Sequence, residues 1–373
     1  MRWNLKRLNR TEWRGLVFAA GLALGHCSAF ASTVVAWGAG HGPLPEGLSG
    51  VTAISSGIDH SLALKADGTV VAWGHNFDGQ CNVPEGLNQV VQMAAGDFFS
   101  IALKSDGTVA GWGSDDYNQL QAPAGLGSIK AISAGHAHVL ALRSDGTVAA
   151  WGSNVYGQTN VPSGLDGVAR VLAAWNYSVA VRSNGTVVAW GANDSGDMTV
   201  PEGLTGVKEV AGNSEYTMAL RSDGSVVAWG RASALPGGLN GIAGITVGDQ
   251  HGVSVGEDGK LTAWGSNQSG ESTIPGGLGR VLSLAAGWNY TLALTEPGTT
   301  LPLFSLVNPV FSEGVFRVSL SSEPGRSYRL EYRDAAREGT WTQLAAVPGT
   351  GQTLTLTNNS AGIAMRVYRV STE

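Results

Sequence analysis

Three histidines, His60, His138 and His251, occupy one register of a repeating sequence whose other copies carry Phe99, Tyr177, Tyr216 and Tyr290 there. A position that accepts imidazole, phenyl and phenol alike calls for a ring rather than for a base or a metal ligand. The three histidines fall in different copies, so they do not converge, and no His/Cys spacing has the form of a zinc site. No hydroxyl or thiol nucleophile stands in a recognisable relation to a base, and the carboxylates are dispersed as a solvated population. These residues predict no catalytic site, no metal and no cofactor.

The chemistry that remains is recognition. Two loops of each copy, one entering its second strand and one leaving its third, should lie at the same end. That end carries Asp59, Asp78, Asp97, Asp115, Asp116, Asp194, Glu215 and Asp249, interspersed with Phe77, Phe98, Tyr117, Tyr156, Trp175 and Trp288. Tyr and Trp anchors are what protein interfaces enrich. Phe77, Phe98, Asp115, Asp116, Tyr117, Tyr156, Trp175 and Trp288 are therefore the candidate partner-binding residues. The competing expectation is that these loops are merely polar and that their aromatics fold back on the core.

The elements that must position this face are set by the repeat. A strand ending in Trp-Gly recurs at Trp37, Trp73, Trp112, Trp151, Trp190, Trp229 and Trp264, at intervals of 36, 39, 39, 39, 39 and 35 residues. The two short intervals share one cause. From Trp to the following Pro is 11 residues in five copies, but 8 from Trp37 to Pro45 and 7 from Trp229 to Pro236. Within one copy, Val51–Ile54, Ser61–Lys65 and Thr69–Trp73 read as three short strands rich in β-branched and apolar residues. Asp67-Gly68 between the second and third is expected to be a two-residue turn with both residues at positive φ. The same pair recurs at Asp106-Gly107, Asp145-Gly146, Asn184-Gly185, Asp223-Gly224 and Asp258-Gly259. The segment Gly79–Pro84 is a short edge strand or irregular cover, and the Trp of each third strand reads as packing between copies.

The series starts with a lone third strand, Thr33–Trp37, and ends with first and second strands, Val281–Ala285 and Tyr290–Leu294, that have no Trp-Gly after them. The two fragments complete each other. Pairing them removes the exposed edges of an open array. The expected fold is all-β: a seven-bladed β-propeller of repeats about 39 residues long at residues 32–300, whose first and last segments share a blade.

Gly57-Ile58-Asp59-His60-Ser61-Leu62-Ala63-Leu64, with Asp67-Gly68-Thr69-Val70-Val71-Ala72-Trp73-Gly74 and the ending Gly79-Gln80, resembles the repeat of the regulator of chromosome condensation. Gly157-Gln158 repeats the ending, while Asn118-Gln119 and Gly196-Asp197 depart from it. The compact repeat is similar in length to the secreted bacterial beta-lactamase inhibitory propeller. The resemblance implies a seven-bladed fold, but the family spans exchange factors, inhibitors and other secreted proteins, and no individual contact carries over.

The ends of the chain bear on location. Arg2, Lys6, Arg7, Arg10 and Arg14 precede an apolar stretch from Gly15 to Gly25, and Ala29-Phe30-Ala31 offers a small-x-small cleavage site, so residues 1–31 read as a secretory signal peptide. An amphipathic N-terminal tail is the alternative, and lipidation at Cys27 stays open although His26 is large for such a signal. The expected location is secreted or periplasmic, with the cell surface among the destinations. Without residues 1–31 the chain has 18 basic against 28 acidic residues, a formal charge of −10, and only Cys81. That balance argues against nucleic acid or an anionic membrane as partner, and no later segment reads as a membrane span.

From residue 301 to 373 the repeat gives way to five alternating segments, Phe316–Leu320, Tyr328–Tyr332, Trp341–Leu344, Thr353–Leu356 and Met365–Arg369. A small β-sandwich is expected. Gly325–Tyr328 and Val367–Arg369 resemble fibronectin-like modules, which implies a spacer or attachment role. Three functions follow from the whole: a non-catalytic binding or scaffold protein engaging an extracellular or surface protein, or a glycan; an inhibitor of an extracellular enzyme; or a polysaccharide-active propeller enzyme.

Overall fold

The computed structural model describes residues 32–193, 196, 198–231, 235–237 and 239–296, and beyond these the strands 307–312, 315–321, 327–334, 342–348, 353–359 and 366–372. The expected signal segment with Cys27, and Asp194, lie outside the described residues. The described strands fall into two units, one ending at Glu296 and the other beginning with the strand Val307–Ser312.

The first unit is a seven-bladed propeller of three-stranded antiparallel sheets. Blade 1 consists of an inner strand Val51–Ser56, a middle strand His60–Lys65 and an outer strand Val70–Gly74. Five more blades repeat this order, with inner strands starting at Val90, Ile129, Val168, Val207 and Ile242. Blade 7 takes Val281–Ala286 and Tyr290–Thr295 from one end and Thr33–Gly38 from the other, with Thr33 opposite Thr295 and Gly38 opposite Tyr290. Inner strands of successive blades pack on one another, and that of blade 7 packs on that of blade 1. The ring is closed.

Middle strands are buried along almost their whole length, as in the run His60–Leu64, so alternation gives way to continuous burial on both faces. The core is inter-blade. Phe99, Ile101 and Leu103 of blade 2 pack with Ile132, Val139 and Trp151 of blade 3, and the closing cluster joins Val34, Tyr290 and Leu292 to Val51, Ala63 and Trp73. Every inner strand starts with a register shift, as between Val51 and Ala53, a bulge that the hydrophobic pattern does not reveal.

The hairpin turns differ from expectation. Asp67 is not at positive φ; Gly68 is, at 78°. Gly68 N donates to Lys65 O and Lys65 N to Thr69 O, which makes a three-residue loop with the glycine in the left-handed region. The Asp67 carboxylate instead accepts from Thr69 N at 3.0 Å and Thr69 Oγ1 at 2.5 Å. Asp106, Asp145, Asn184 and Asp223 repeat both bonds with Thr or Ser two residues on. The segment after each outer strand, where it is described, is irregular cover rather than a fourth strand.

The second unit holds two three-stranded antiparallel sheets. One has the order 307–312, 315–321, 353–359 and the other 342–348, 327–334, 366–372. Tyr328 and Leu330 of the second sheet and Leu356 of the first share a small buried cluster. The strand Val307–Ser312 precedes those expected from the sequence.

Candidate functional site

Both loops singled out above do lie at one end of each blade. His60 is paired with Gly74 across the sheet, and His75 N donates to Asp59 O at 2.8 Å. Ser114 N to Phe98 O, Ser153 N to Ala137 O and Ala192 N to Asn176 O repeat the link. The glycine of each Trp-Gly is required here. Gly74 has φ 107°, and a Cβ there would lie 2.5 Å from Asp59 O.

The recurring rings build a relay between blades. His60 Nε2 bonds Ser100 Oγ at 3.0 Å, His138 Nε2 bonds Ser178 Oγ at 3.0 Å and His251 Nε2 bonds Thr291 Oγ1 at 2.9 Å. Ser100 and Ser178 in turn donate to the carbonyls of Gln80 and Gln158. Their hydroxyl protons are thus committed, which leaves the histidine Nε2 as the donor. Burial pushes the imidazoles down to about 4 at His60, about 3 at His138 and about 4 at His251, so all three are neutral near pH 7. Phe99, which cannot donate, meets Val139 at the position the hydroxyl occupies elsewhere. The ring position is a packing joint.

The tryptophans join the same relay. All seven are 5–8 % exposed. Trp112, Trp151 and Trp190 donate Nε1 to the carbonyls of Gln80, Gln119 and Gln158 of the preceding blade, and Trp37 to Glu271, each at 2.9 Å. Trp73 and Trp264, which follow the two shortened loops, lack this carbonyl among the described residues.

The same glutamines hold the long loops. Gln80, Gln119 and Gln158 turn their Oε1 to accept from Asp78 N, Tyr117 N and Tyr156 N. Asn76 and Asn154 accept from Cys81 N and Thr159 N from the other side. Asp115 stands where these blades have asparagine and spends its carboxylate alike, on Leu120 N and Gln121 Nε2. Asp116 accepts from Ser114 Oγ. The loop tips are thereby fixed, and three of them carry apolar side chains: Phe77 is 90 % exposed, Val155 71 %, Tyr156 50 % and Tyr117 47 %. They fall on blades 1, 2 and 3 in succession. Blade 6 has Gln268 and Ser269 at the matching positions.

Nearer the axis the turn between inner and middle strands places one variable residue per blade: Ile58, Asp97, His136, Trp175, Ser214, Asp249 and Trp288. These seven surround a cup of about 140 Å3 over a floor of small residues that includes Ser56, Ala95, Ala134 and Ala173. His136 stacks on Trp175, centroids 4.5 Å apart and planes at 15°, bonds Asp97 through Nδ1, and meets the edge of Phe98. Ser214 Oγ donates to Asp249 Oδ1 at 3.0 Å, and Trp288 N donates to Ile58 O. Burial raises the Asp97 carboxyl, His136 opposes this, and the charges of Asp249 and Asp59 push it further up.

Of the expected residues, Trp175 and Trp288 thus line the cup, Phe98 borders it, and Phe77, Tyr117 and Tyr156 form the outer arc with Asp115 and Asp116 in their loops. His136 and Val155 were not anticipated. Their signal lay in the register: His136 holds the first variable position of the turn into each middle strand, and Val155 the position of Phe77 in the loop after the outer strand. Among the described residues no group of three His, Cys, Asp or Glu is placed to hold a metal ion, and no helix is long and apolar enough to cross a membrane.

The Regulator of chromosome condensation (RCC1) repeat is recognised at residues 51–80, 90–119, 129–158 and 242–271, each running from an inner strand to the loop glutamine or its glutamate counterpart. Among solved structures, Prp20p from Saccharomyces cerevisiae is similar with a TM-score of 0.62 at 17 % identity, over 76 % of this chain and 94 % of that one; its structure was described with its binding properties to Gsp1p and histones. Human WBSCR16 gives 0.60 at 18 %, over 71 % and 100 %, and the CRINKLY ectodomain of the Arabidopsis thaliana receptor kinase ACR4 gives 0.55 at 20 %, over 68 % and 95 %. A search of curated proteins gives no match. The fold is an RCC1-repeat β-propeller.

Proposed function

We propose that the chain is an exported, non-catalytic binding protein that engages an extracellular or surface protein, or a glycan, through the loop face of the propeller. The carrying observation is the arc of Phe77, Tyr117, Val155 and Tyr156, exposed on three consecutive blades and held by side-chain staples. A rigid apolar surface loses little entropy when a partner covers it. The protein binding described for Prp20p supports the use of this fold as a platform, while leaving the partner here to this chain's own loops. The reading of residues 1–31 as a signal and of 301–373 as a spacer or attachment module belongs to the same proposal.

The test is affinity capture from surface and culture-medium fractions with the chain from residue 32 as bait, beside Phe77→Ser and Tyr156→Ser variants with unchanged melting temperature. A specific partner lost from both variants supports the reading. Capture indifferent to both refutes the arc. Loss of a captured enzyme's activity on complex formation would identify an inhibitor.

A further inference from the structure

The arc says where a partner rests but not what enters the cup. Four of the seven mouth residues set its chemistry. Asp97 of blade 2, Trp175 of blade 4, Asp249 of blade 6 and Trp288 of blade 7 alternate acid and indole around the axis. The floor beneath them is mostly of Ala, Gly and Ser, with Val247 and Asn213. Such a cup admits one slender group along the axis.

Charge decides which group. The neighbouring donors are already spent: Asn213 donates to Gly248 O and Asp249 O, and Ser214 donates to Asp249, so the carboxylates of Asp97 and Asp249 are the charged groups the cup offers. Asp97 is bonded by His136 Nδ1, whose ring is itself stacked on Trp175. Among the seven mouth residues His136 is the one basic side chain; Arg231 lines a neighbouring pocket together with Asp249. Both carboxylates line the cup, and the charge of Asp249 pushes the Asp97 carboxyl up, after burial and against His136. An apolar occupant would desolvate both acids with nothing in return, and a neutral hydroxyl would return hydrogen bonds but no charge. A cation on the axis would be attracted by both, and by the face of an indole within reach.

We propose that the axial cup receives one cationic side chain, a lysine or arginine presented by a protein partner, between the carboxylates of Asp97 and Asp249 and alongside the indoles of Trp175 and Trp288. This rests on the loop face being the binding face, and it favours a protein over a glycan as occupant. Trp288, 45 % exposed, is the side chain with most surface left to give to the incoming group.

The experiment uses the whole chain from residue 32 with 15N-labelled tryptophan, indole signals being assigned with Trp175→Phe and Trp288→Phe. The probes are the N-acetyl methylamides of lysine, arginine and norleucine, with chitotriose and cellotriose. The lysine and arginine probes should shift the Trp175 and Trp288 indoles, and norleucine should not. Asp249→Asn, with its fold checked by thermal melting, should weaken the lysine probe about threefold or more, as should a rise in ionic strength. Equal shifts with norleucine, shifts with a saccharide in place of lysine, or no shift with any probe would each overturn the proposal. Failure here with the Phe77→Ser and Tyr156→Ser effects on capture intact leaves the binding face standing; capture indifferent to those variants removes the face as well.

Discussion

At the scale of single residues, one buried acid carries a pH dependence opposite to that of the surface. Gln92, third in its inner strand, joins blades 2 and 3 by donating Nε2 to Ile132 O and accepting from Ile132 N, both at 3.0 Å. Glu209 holds that position in blade 5, beside the Ile245 backbone of blade 6. Burial raises its carboxyl well above the ordinary 4.5, with Arg170 and Lys208 pulling the other way. Kept neutral, the acid avoids burying a charge and accepts from the Ile245 backbone as Gln92 accepts from Ile132. A raised folded-state value means that the native state binds this proton more tightly, so the contribution is full below about 4.5 and fades as pH climbs towards the folded value. Glu209→Gln should therefore stabilise the propeller at pH 7 by about 1 kcal/mol or more, and by progressively less towards pH 4. Urea midpoints at three pH values measure it; a gap that stays constant with pH refutes the neutral acid.

The inter-blade joint supplies a second prediction of this kind. His138→Phe leaves the Ser178 hydroxyl without its histidine donor, and Ser178→Val leaves the buried imidazole without its acceptor. Each should cost about 1–3 kcal/mol. The double variant installs the Phe99–Val139 pairing found one blade earlier, so its cost should fall clearly below the sum. A strictly additive denaturation cycle would show that the relay does not couple the blades.

At the scale of the element, the hairpin turn and the Trp-Gly corner show which instructions were legible. The strands were readable because each is short, rich in β-branched and apolar residues and punctuated by glycine, and the ring because two incomplete ends matched. The turn was misread. Asp-Gly admits two loop geometries, and only the contact of Asp67 with Thr69 selects the three-residue one. Those side-chain bonds hold the exposed Asp67 and Asp106 carboxyls down at about 2. A depressed value gives stability that is present above the ordinary aspartate range and lost as pH falls towards 2. Asp67→Asn, which copies Asn184, should keep the turn at pH 7 and lessen the loss of stability on acidification, read from melting temperatures between pH 2 and 5. No change in the acid limb would mean that the turn carboxylate is not coupled to folding. The corner is stricter. At Gly152 the backbone is at φ 94° and a Cβ would sit 2.5 Å from Ala137 O, so Gly152→Ala should cost about 1–3 kcal/mol or more in chemical denaturation, and a variant near wild-type stability would refute the close approach.

The candidate site was legible by face but not by radius. Alternation shows that two loops share an end, yet nothing local states which strand lies on the axis, because the Trp-Gly ending marks the third strand of each copy without placing it inside or outside. Trp175 and Tyr156 therefore looked equivalent in the sequence, whereas one lines the cup and the other the rim. Nor could the sequence separate Asp115, whose spacing matches the stapling asparagines, from the acids of the mouth until its bonds to Leu120 and Gln121 were seen.

At the scale of the whole molecule, the function depends on closure. The cup exists only where all seven turns meet, and blade 7 exists only because Thr33–Gly38 pairs with Tyr290–Thr295. Removing residues up to 38 exposes the hydrogen-bonding edge of that middle strand, takes Val34 out of the cluster that includes Val51 and Trp73, and removes the Trp37 bond to Glu271. The loss is not confined to one blade, because each core cluster belongs to two blades and a gap leaves both neighbours half-covered. A chain starting at residue 39 should therefore lose amide-exchange protection in blades 1 and 6 as well as in blade 7, and the indole shifts at Trp288 with it. Adding back a peptide of residues 32–38 should restore protection in all three together. Protection lost only within Val281–Thr295 would show that the blades fold as independent units, and the axial cup could then not owe its shape to the ring.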